Sequence, residues 1–298
     1  MEKVIVKRSF LKRNKDHFKT YALLSFPIAW WGLFFVTPFV MALVISFSDM
    51  KSAFTINNFG ISQYKYVLTD RQFYDSLRVT FIWTALMTVG NNLFGFLTAY
   101  AIYKLKRGRR FFLALLFWPF LVSAVANANI TKFVFGPSSN NLVNAVLRLF
   151  GQSPVAWLDK QRTALFSLVI LPFFLGFSVK MIIFYTGLLA IPSQYYEAAR
   201  LETNKAFPIL RYITLPLLKN IIVLNLLLSV IDGIKVVGPM MLVTKGNFGT
   251  MSAVYYIYTN IASNKARAAA SAFIVFIVIL IVSAVQLKLS GKSGATYE

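Results

Sequence analysis

Polar side chains in one apolar stretch are the strongest candidates for chemistry in this chain. Asn225, Ser229 and Asp232 have spacings of four and three residues, which places them on one face of an α-helix. Lys235 extends the row, and Lys180 lies in an earlier apolar stretch. Charged groups within a bilayer need a partner or a wet cavity. The pattern indicates a substrate pathway; the alternative is a structural network in which Asp232 pairs with Lys235.

Lys180 and Asp232 are predicted to lie at different depths in the membrane. Counted at about 1.5 Å per residue from the inner ends of straight helices, they are about 13 Å and about 22 Å deep. We therefore expect no direct pair between them unless the helices tilt. Lys180 and Lys235 against Asp232 leave an excess of positive charge at depth.

Most catalytic and metal-binding chemistry is excluded by composition. The chain has no cysteine, which rules out disulfides, thiolate metal sites and cysteine nucleophiles. The single histidine, His17, lies among basic residues near the N-terminus, and no paired-carboxylate, serine-base or phosphate-loop pattern is present. We expect no catalytic residue, no metal site and no cofactor bound by this chain. Energy for uphill movement of a solute would come from another chain or an ion gradient.

The elements that position these residues are predicted to be membrane-spanning helices. The chain of 298 residues is 57% hydrophobic and only 14% charged, with a mean hydropathy of +0.64. A hydrocarbon core of about 30 Å requires about 20 apolar residues per helix. Six stretches meet this length, so the sequence predicts an all-α integral membrane protein with six transmembrane helices: 21–47, 77–103, 111–135, 164–189, 217–243 and 268–287.

The distribution of basic residues predicts the orientation. A net charge of +21 would suggest nucleic-acid binding in a soluble protein, but this chain is too apolar for that class. Lys and Arg concentrate in the N-terminal tail, in the run 104–110 and in the segment 193–220. The positive-inside rule places these segments, and both termini, in the cytoplasm. We therefore expect a multi-pass membrane protein that binds no nucleic acid.

A polar segment between the fourth and fifth predicted spans has the pattern of two short helices. It includes EAARLETNKAFPILRYITLPLLKN, residues 197–220. Ser193 is a suitable N-cap for a helix over about 193–202, and Asn204 is suited to a left-handed turn after it. Pro208 fits the first turn of a second helix, and Pro216 predicts a break before the fifth span.

Several motifs in this chain resemble membrane subunits of ATP-binding-cassette importers. Glu197-Ala198-Ala199, followed by Ile213, Leu215 and Pro216, looks like their EAA loop, although Thr203 and Asn204 stand where the family usually has Gly and Ala. Other stretches resemble carbohydrate permeases of the maltose and glycerol-phosphate type: FFLALLFWPFLVSAV, NNLVNAVLRLFGQSPVAWL, GLLAIPSQYYEAA and VTKGNFGT. Asn247 and Phe248 depart from the Gly-Pro of the last motif.

The resemblance implies a type I importer permease fold and a set of partners. These would be a second permease subunit, expected to be a different chain, two ATP-binding cassette subunits that carry ATP and magnesium, and an extracytoplasmic solute-binding protein. The resemblance also implies a place in the bacterial cytoplasmic membrane. The first short helix of the polar segment, over about 193–202, would be the coupling helix, and its ATPase-docking residues would be Tyr196, Glu197, Ala198, Ala199, Arg200, Leu201 and Glu202. A basic tail (1–20) and a C-terminal tail (291–298) would flank a permease domain (21–290), which is not itself an enzyme.

The substrate implied is an oligosaccharide or related carbohydrate, and its chemistry stays open. The positive excess at Lys180 and Lys235 suggests the hypothesis that the sugar is acidic. Two other functions are compatible with the residues. An ion-coupled secondary transporter would use Asp232 as its cation site, but would leave the EAA-like helix without a purpose. A non-transporting scaffold would tolerate apolar residues at Asn225, Ser229 and Asp232.

Overall fold

The computed structural model describes residues 10–51, 56 and 58–291, so residues 1–9 and 292–298 of the predicted tails lie outside it. The N-terminal helix α1 (Phe10–Trp31) continues through a π-helical turn (Gly32–Val36) into α2 (Thr37–Ser46). Helix α1 thus begins within the segment 1–20 that is predicted to be a tail. Across the described ranges the only β pairing is one isolated antiparallel bridge between Ser48 and Phe59.

The remaining helices are short or membrane-length. In chain order they are α3 (Ser62–Thr69), α4 (Arg71–Lys104), α5 (Arg109–Phe117), α6 (Ala124–Phe135), α7 (Leu142–Leu149), α8 (Ala164–Ala190), α9 (Ser193–Glu202), α10 (Ala206–Ile209), α11 (Leu215–Leu217), α12 (Lys219–Ile234), α13 (Ala253–Ser263) and α14 (Lys265–Gly291). A 3-10 turn (Trp118–Leu121) follows α5, and π-helical turns occupy Leu210–Thr214 and Met240–Thr244.

Among the residues that the structure describes, four helical stretches are long and apolar enough to cross a membrane: Lys19–Ser46, Arg71–Lys104, Ala164–Ala190 and Lys265–Lys288. Two bent pairs pass the same test together. Residues Arg109–Leu121 meet Ala124–Phe135 at 89°, and Ala206–Leu217 meet Lys219–Ile234 at 69°. Counting each bent pair as one span gives six, and the prediction of an all-α membrane protein is confirmed.

The spans predicted over 111–135 and 217–243 are interrupted in the structure, and prolines account for part of the difference. Proline has no amide hydrogen for the helical ladder. Pro119 lies in the 3-10 turn, Val122 is extended, and the hydroxyl of Ser123 accepts a hydrogen bond from the amide of Ala126 at 3.2 Å to start α6. The second break follows Lys235, which closes α12 ahead of Pro239 and the next π-helical turn.

Helix α4 is the centre of the packing, against α8 on one side and α12 on another. Two glycines allow close approach. A Cβ on Gly95 would lie 2.9 Å from the Cβ of Lys180, and a Cβ on Gly233 would lie 2.8 Å from the Thr84 methyl carbon. Small residues at helix interfaces are typical of membrane bundles, where close van der Waals packing replaces the hydrophobic driving force.

The loops separate into two ends of the bundle. At one end, the rings of Tyr103 and Tyr196 are 6.2 Å apart, which places α9 beside the C-terminal end of α4. At the other, the amide of Ala253 donates to Thr80 at 2.8 Å, so α13 lies beside the N-terminal half of α4. There Tyr256 donates to Asp70, and burial together with this carboxylate raises the pKa of Tyr256.

Candidate functional site

A cavity of about 530 Å³ opens where two spans are interrupted. Phe120, Val122 and Ala124 from the first break and Val236 and Pro239 from the second line it, with α4, α8 and α12 as the other walls. Irregular backbone at membrane depth is tolerated where it is buried in protein or lines a cavity. A volume of this size lies within the range of small-molecule sites, about 300–1,000 Å³.

Lys180 and Asp232 form an ion pair in this cavity, which was expected only if the helices tilt. Lys180 Nζ lies 3.4 Å from Asp232 Oδ2, with side-chain exposures of 7% and 71%. The depth count presumed two straight helices along the membrane normal. The chain instead bends by 69° just before α12, and the long lysine side chain adds reach.

The predicted polar stripe of α12 divides between the cavity and a helix interface. Ser229 and Asp232 line the cavity. Ser229 also accepts a hydrogen bond from the amide of Asn92 on α4 at 2.8 Å and donates to the carbonyl of Asn225 at 2.8 Å. Asn225 is fully buried and is not among the lining residues.

Lys235 is also outside the cavity lining, because α12 ends at Ile234 and Lys235 is the exposed residue after it. The carboxylate of Asp232 pairs with Lys180 on another helix. The structural alternative in which Asp232 pairs with Lys235 is therefore not the arrangement found. Substrate contact stays a prediction for all five residues. Lys180, Ser229 and Asp232 line the cavity, whereas Asn225 and Lys235 do not.

Two further amides complete the polar lining, Asn91 on α4 and Asn127 on α6. The side chain of Asn91 fits over Gly176 on α8, where a Cβ would lie 2.5 Å from Asn91 Nδ2. Amide side chains at membrane depth more often bond between helices than contact a ligand. The sequence signal for Asn91 and Asn127 is that both amides lie at membrane depth. The sequence does not predict that the broken helix carrying Asn127 forms a wall of the cavity.

Aromatic and aliphatic side chains make up the rest of the lining, including Trp83, Met87 and Phe120. A mostly apolar wall with a few convergent polar groups is typical of ligand sites. Hydroxyl groups of a bound molecule would find donors and acceptors at the five polar residues, and its C–H faces would contact the rings. No group of three or more His, Cys, Asp or Glu that could hold a metal occurs among the residues described.

Helix α9 has the predicted bounds but different ends. Its first residue is Ser193, which makes no side-chain capping bond, and Pro192 occupies the N-cap position. After the helix Thr203 is extended, with φ −156°, and its hydroxyl accepts from the amide of Lys205 at 3.2 Å. Asn204 is not left-handed; in the described part of the chain that conformation occurs outside glycine only at Lys245 and Phe248. The hydroxyl of Thr203 shapes the turn instead.

The predicted docking residues of α9 fall into two sets. Tyr196 and Ala199 face the chain itself: the Tyr196 hydroxyl lies 3.3 Å from the Thr214 hydroxyl, Ala199 is 7% exposed, and burial raises the pKa of Tyr196. The other set is exposed and accessible to a partner, and consists of Glu197, Ala198, Arg200, Leu201 and Glu202. Docking itself stays a prediction for all seven residues.

A comparison with known families decides what kind of protein carries this cavity and this exposed helix. Residues 90–292 match the sequence model of a family described as "Binding-protein-dependent transport system inner membrane component". The chain belongs to this family. The resemblance to membrane subunits of ATP-binding-cassette importers for carbohydrates is thereby confirmed, and the EAA motif at Glu197–Ala199 is a feature of that family.

Two relatives of this permease are named as permease proteins of sugar transport systems. It is 30% identical to the arabinooligosaccharides transport system permease protein AraP of Bacillus subtilis (strain 168), over 87% of this chain and 84% of the relative. It is 28% identical to the trehalose/maltose transport system permease protein MalF of Thermococcus litoralis, over 77% and 78% of the two chains.

A solved structure supports the type I permease fold. A chain in the crystal structure of a bacterial alginate ABC transporter, in complex with alginate pentasaccharide-bound periplasmic protein, matches with a TM-score of 0.83. The match covers 98% of this chain and 100% of that one at 18% identity, so it supports the fold alone. This permease is thus a multi-pass membrane protein of the sugar-importer class.

Proposed function

We propose that this permease forms part of the translocation pathway of an ATP-driven importer for an oligosaccharide or related carbohydrate. The observation that carries the proposal is the cavity at the two interrupted spans, where five polar side chains lie among aromatic and aliphatic ones. A carbohydrate presents hydroxyl groups and apolar C–H faces, and such a wall accommodates both. The names of the relatives AraP and MalF support the same substrate class.

Membership of the family supports a set of partners for this permease. An extracytoplasmic solute-binding protein delivers the sugar, and a second, different permease subunit supplies the other half of the pathway. Two ATP-binding cassette subunits bind ATP and magnesium and hydrolyse ATP in the cytoplasm. This chain is a non-catalytic subunit with both termini on the cytoplasmic side, and it holds no cofactor of its own.

Helix α9 couples ATP hydrolysis to the cavity. It follows α8 after only Ile191 and Pro192, so a displacement of α9 is transmitted along α8, the helix that carries Lys180. Tyr196 and Ala199 hold α9 to its own chain through the contacts with Thr214 and neighbouring residues. The exposed residues Glu197, Ala198 and Leu201 then meet the ATPase subunit.

Charge reversal and bulk on α9 test this coupling. The permease is co-expressed with its partner subunits, and co-purification of the ATPase and ATP-dependent uptake in proteoliposomes are measured. Glu197→Lys and Ala198→Trp, both at exposed positions, are expected to lower both readouts by about tenfold or more, since like charges and steric clash at an interface cost several kcal/mol. Asp159→Lys is the matched control, because Asp159 is an exposed carboxylate far along the chain from α9.

Normal co-purification and coupled ATPase activity in both α9 variants would contradict the proposed docking. Gradient-driven uptake by this chain alone, without ATP, would favour the ion-coupled transporter with Asp232 as its cation site. Retained uptake after Ser229→Ala combined with Asp232→Leu would favour a scaffold without a transport pathway.

A further inference from the structure

The ion pair in the cavity is asymmetric in its exposure. The ammonium side chain of Lys180 is 7% exposed, whereas the carboxylate side chain of Asp232 is 71% exposed. The Cβ of Lys180 packs where Gly95 leaves room, so the stem of the lysine is fixed between α4 and α8. A molecule entering the cavity therefore meets the carboxylate before it meets the ammonium group.

These two groups are the only charged residues among those that line the cavity in the described structure. Lys235, which contributed to the positive excess seen in the sequence, lies outside the lining. The cavity thus has no net formal charge, and its exposed charge is negative. The positive excess that suggested an acidic sugar is not present where the ligand would bind.

We propose that Asp232 is a specificity-determining residue that accepts hydrogen bonds from hydroxyl groups of a neutral sugar and excludes anionic sugars. Lys180 is a positioning residue, which holds the carboxylate and offsets its charge within the membrane. A carboxylate can accept two hydroxyl donors at once, whereas an anionic ligand meets a like charge at short range. This inference rests on the proposed function only in taking the cavity as the place where the sugar binds.

The electrostatic potential in the cavity can be probed without knowing the sugar. Because the chain contains no cysteine, a single introduced cysteine is its only site for thiol reagents. A single cysteine is introduced at Asn127, a lining residue, in the full chain assembled with its partners. Its reaction rates with an anionic and a cationic methanethiosulfonate reagent of similar size are compared. The same pair of reagents at Lys160→Cys, an exposed position outside the cavity, is the control.

With Lys180 and Asp232 unchanged, the cysteine at position 127 is expected to react faster with the cationic reagent than with the anionic one. Asp232→Asn should raise the ratio of the anionic to the cationic rate about tenfold at position 127 and leave it unchanged at position 160. Asp232→Asn leaves the buried ammonium group of Lys180 without its partner, which is destabilising, so it is paired with the double variant Lys180→Met/Asp232→Asn. The double variant should also raise the ratio, by a smaller factor. An unchanged ratio in both variants would overturn the inference.

Uptake is the second arm of the experiment. A neutral oligosaccharide that the importer takes up is compared with the same sugar after oxidation of its terminal 6-hydroxymethyl group to a carboxylate. We expect at least about tenfold preference for the neutral sugar, reduced by Asp232→Asn. Preference for the oxidised sugar in the unmodified importer would overturn the inference and leave the proposed function intact. Failure to take up any sugar would overturn the proposed function, while the reagent ratio would still test the charge of the cavity.

Discussion

At the scale of single residues, the shape of the cavity depends on Gly176. The side chain of Asn91 occupies the space where a Cβ would lie, with Nδ2 at 2.5 Å from it. Asn91 Oδ1 has no hydrogen-bond partner within the described chain, so its amide is held by packing more than by bonding. Both residues line the cavity, and a change at one is felt at the other.

Gly176→Ala is therefore expected to displace Asn91 and to lower uptake. Overpacking of this kind costs about 1–3 kcal/mol, so the midpoint of thermal unfolding should fall by several degrees. Gly32→Ala is the matched control, since a Cβ there meets nothing within 4 Å and alanine favours helix. The check is the unfolding temperature in detergent together with uptake. Equal stability of the two variants would show that Asn91 moves aside at no cost.

At the scale of elements, the interruptions of two spans create the site. In uninterrupted helices over 111–135 and 217–243, Asn127 and Asp232 would lie on regular helix surfaces, and no irregular backbone would line a cavity between them. The break around Val122, where two helices meet at 89°, and the end of α12 at Ile234 instead bring Val122 and Val236 to the same cavity as the helices. Discontinuous helices at binding sites are common in transporters, because unwound backbone there is shielded from lipid.

The N-cap of α6 is a testable part of the first interruption. Ser123 accepts a hydrogen bond from the amide of Ala126 at 3.2 Å, and loss of such a cap costs about 1 kcal/mol. Ser123→Ala should therefore lower the unfolding temperature and weaken uptake, since α6 carries Asn127 into the cavity. Ser193→Ala is the control, because Ser193 begins α9 and makes no capping bond. Equal effects of the two substitutions on stability would contradict this role of Ser123.

At the scale of the whole molecule, the two ends of the bundle differ in what they present. The end with α9 also carries the C-terminal end of α4 and the basic run that follows it. The opposite end carries α13, held to α4 by the bond from Ala253 to Thr80. The positive-inside rule predicts that the first end faces the cytoplasm.

Single cysteines in the otherwise cysteine-free chain test this orientation. In intact cells, a membrane-impermeant maleimide should label Lys160→Cys and should not label Lys106→Cys, because only the first position is predicted to face outward. Permeabilised cells should show labelling at both positions, which controls for accessibility. Labelling of Lys106→Cys in intact cells would reverse the predicted topology.

The sequence by itself determined that the protein lies in a lipid bilayer, that its fold is all-helical and that it resembles importer permeases. Apolar length set the spans, because the bilayer demands about 20 residues per helix. The EAA-like motif and the other motifs are local patterns, so they and their order can be recognised from the sequence alone. The bounds of α9 also followed from local propensity. Its cap and turn did not, since Pro192 takes the N-cap position predicted for Ser193, and the hydroxyl of Thr203 shapes the turn predicted for Asn204.

Only the tertiary structure decided which polar residues meet. Lys180 and Asp232 are distant along the chain, and their 3.4 Å contact depends on a bend that no single helix period reveals. The same packing buried Asn225 outside the cavity lining and placed Lys235 beyond the end of α12. The helical period determines which residues share a face of one helix, but long-range packing determines which other helix that face contacts. For this reason the sequence predicted a positive pathway, and the structure shows a cavity with one cation, one carboxylate and no net charge.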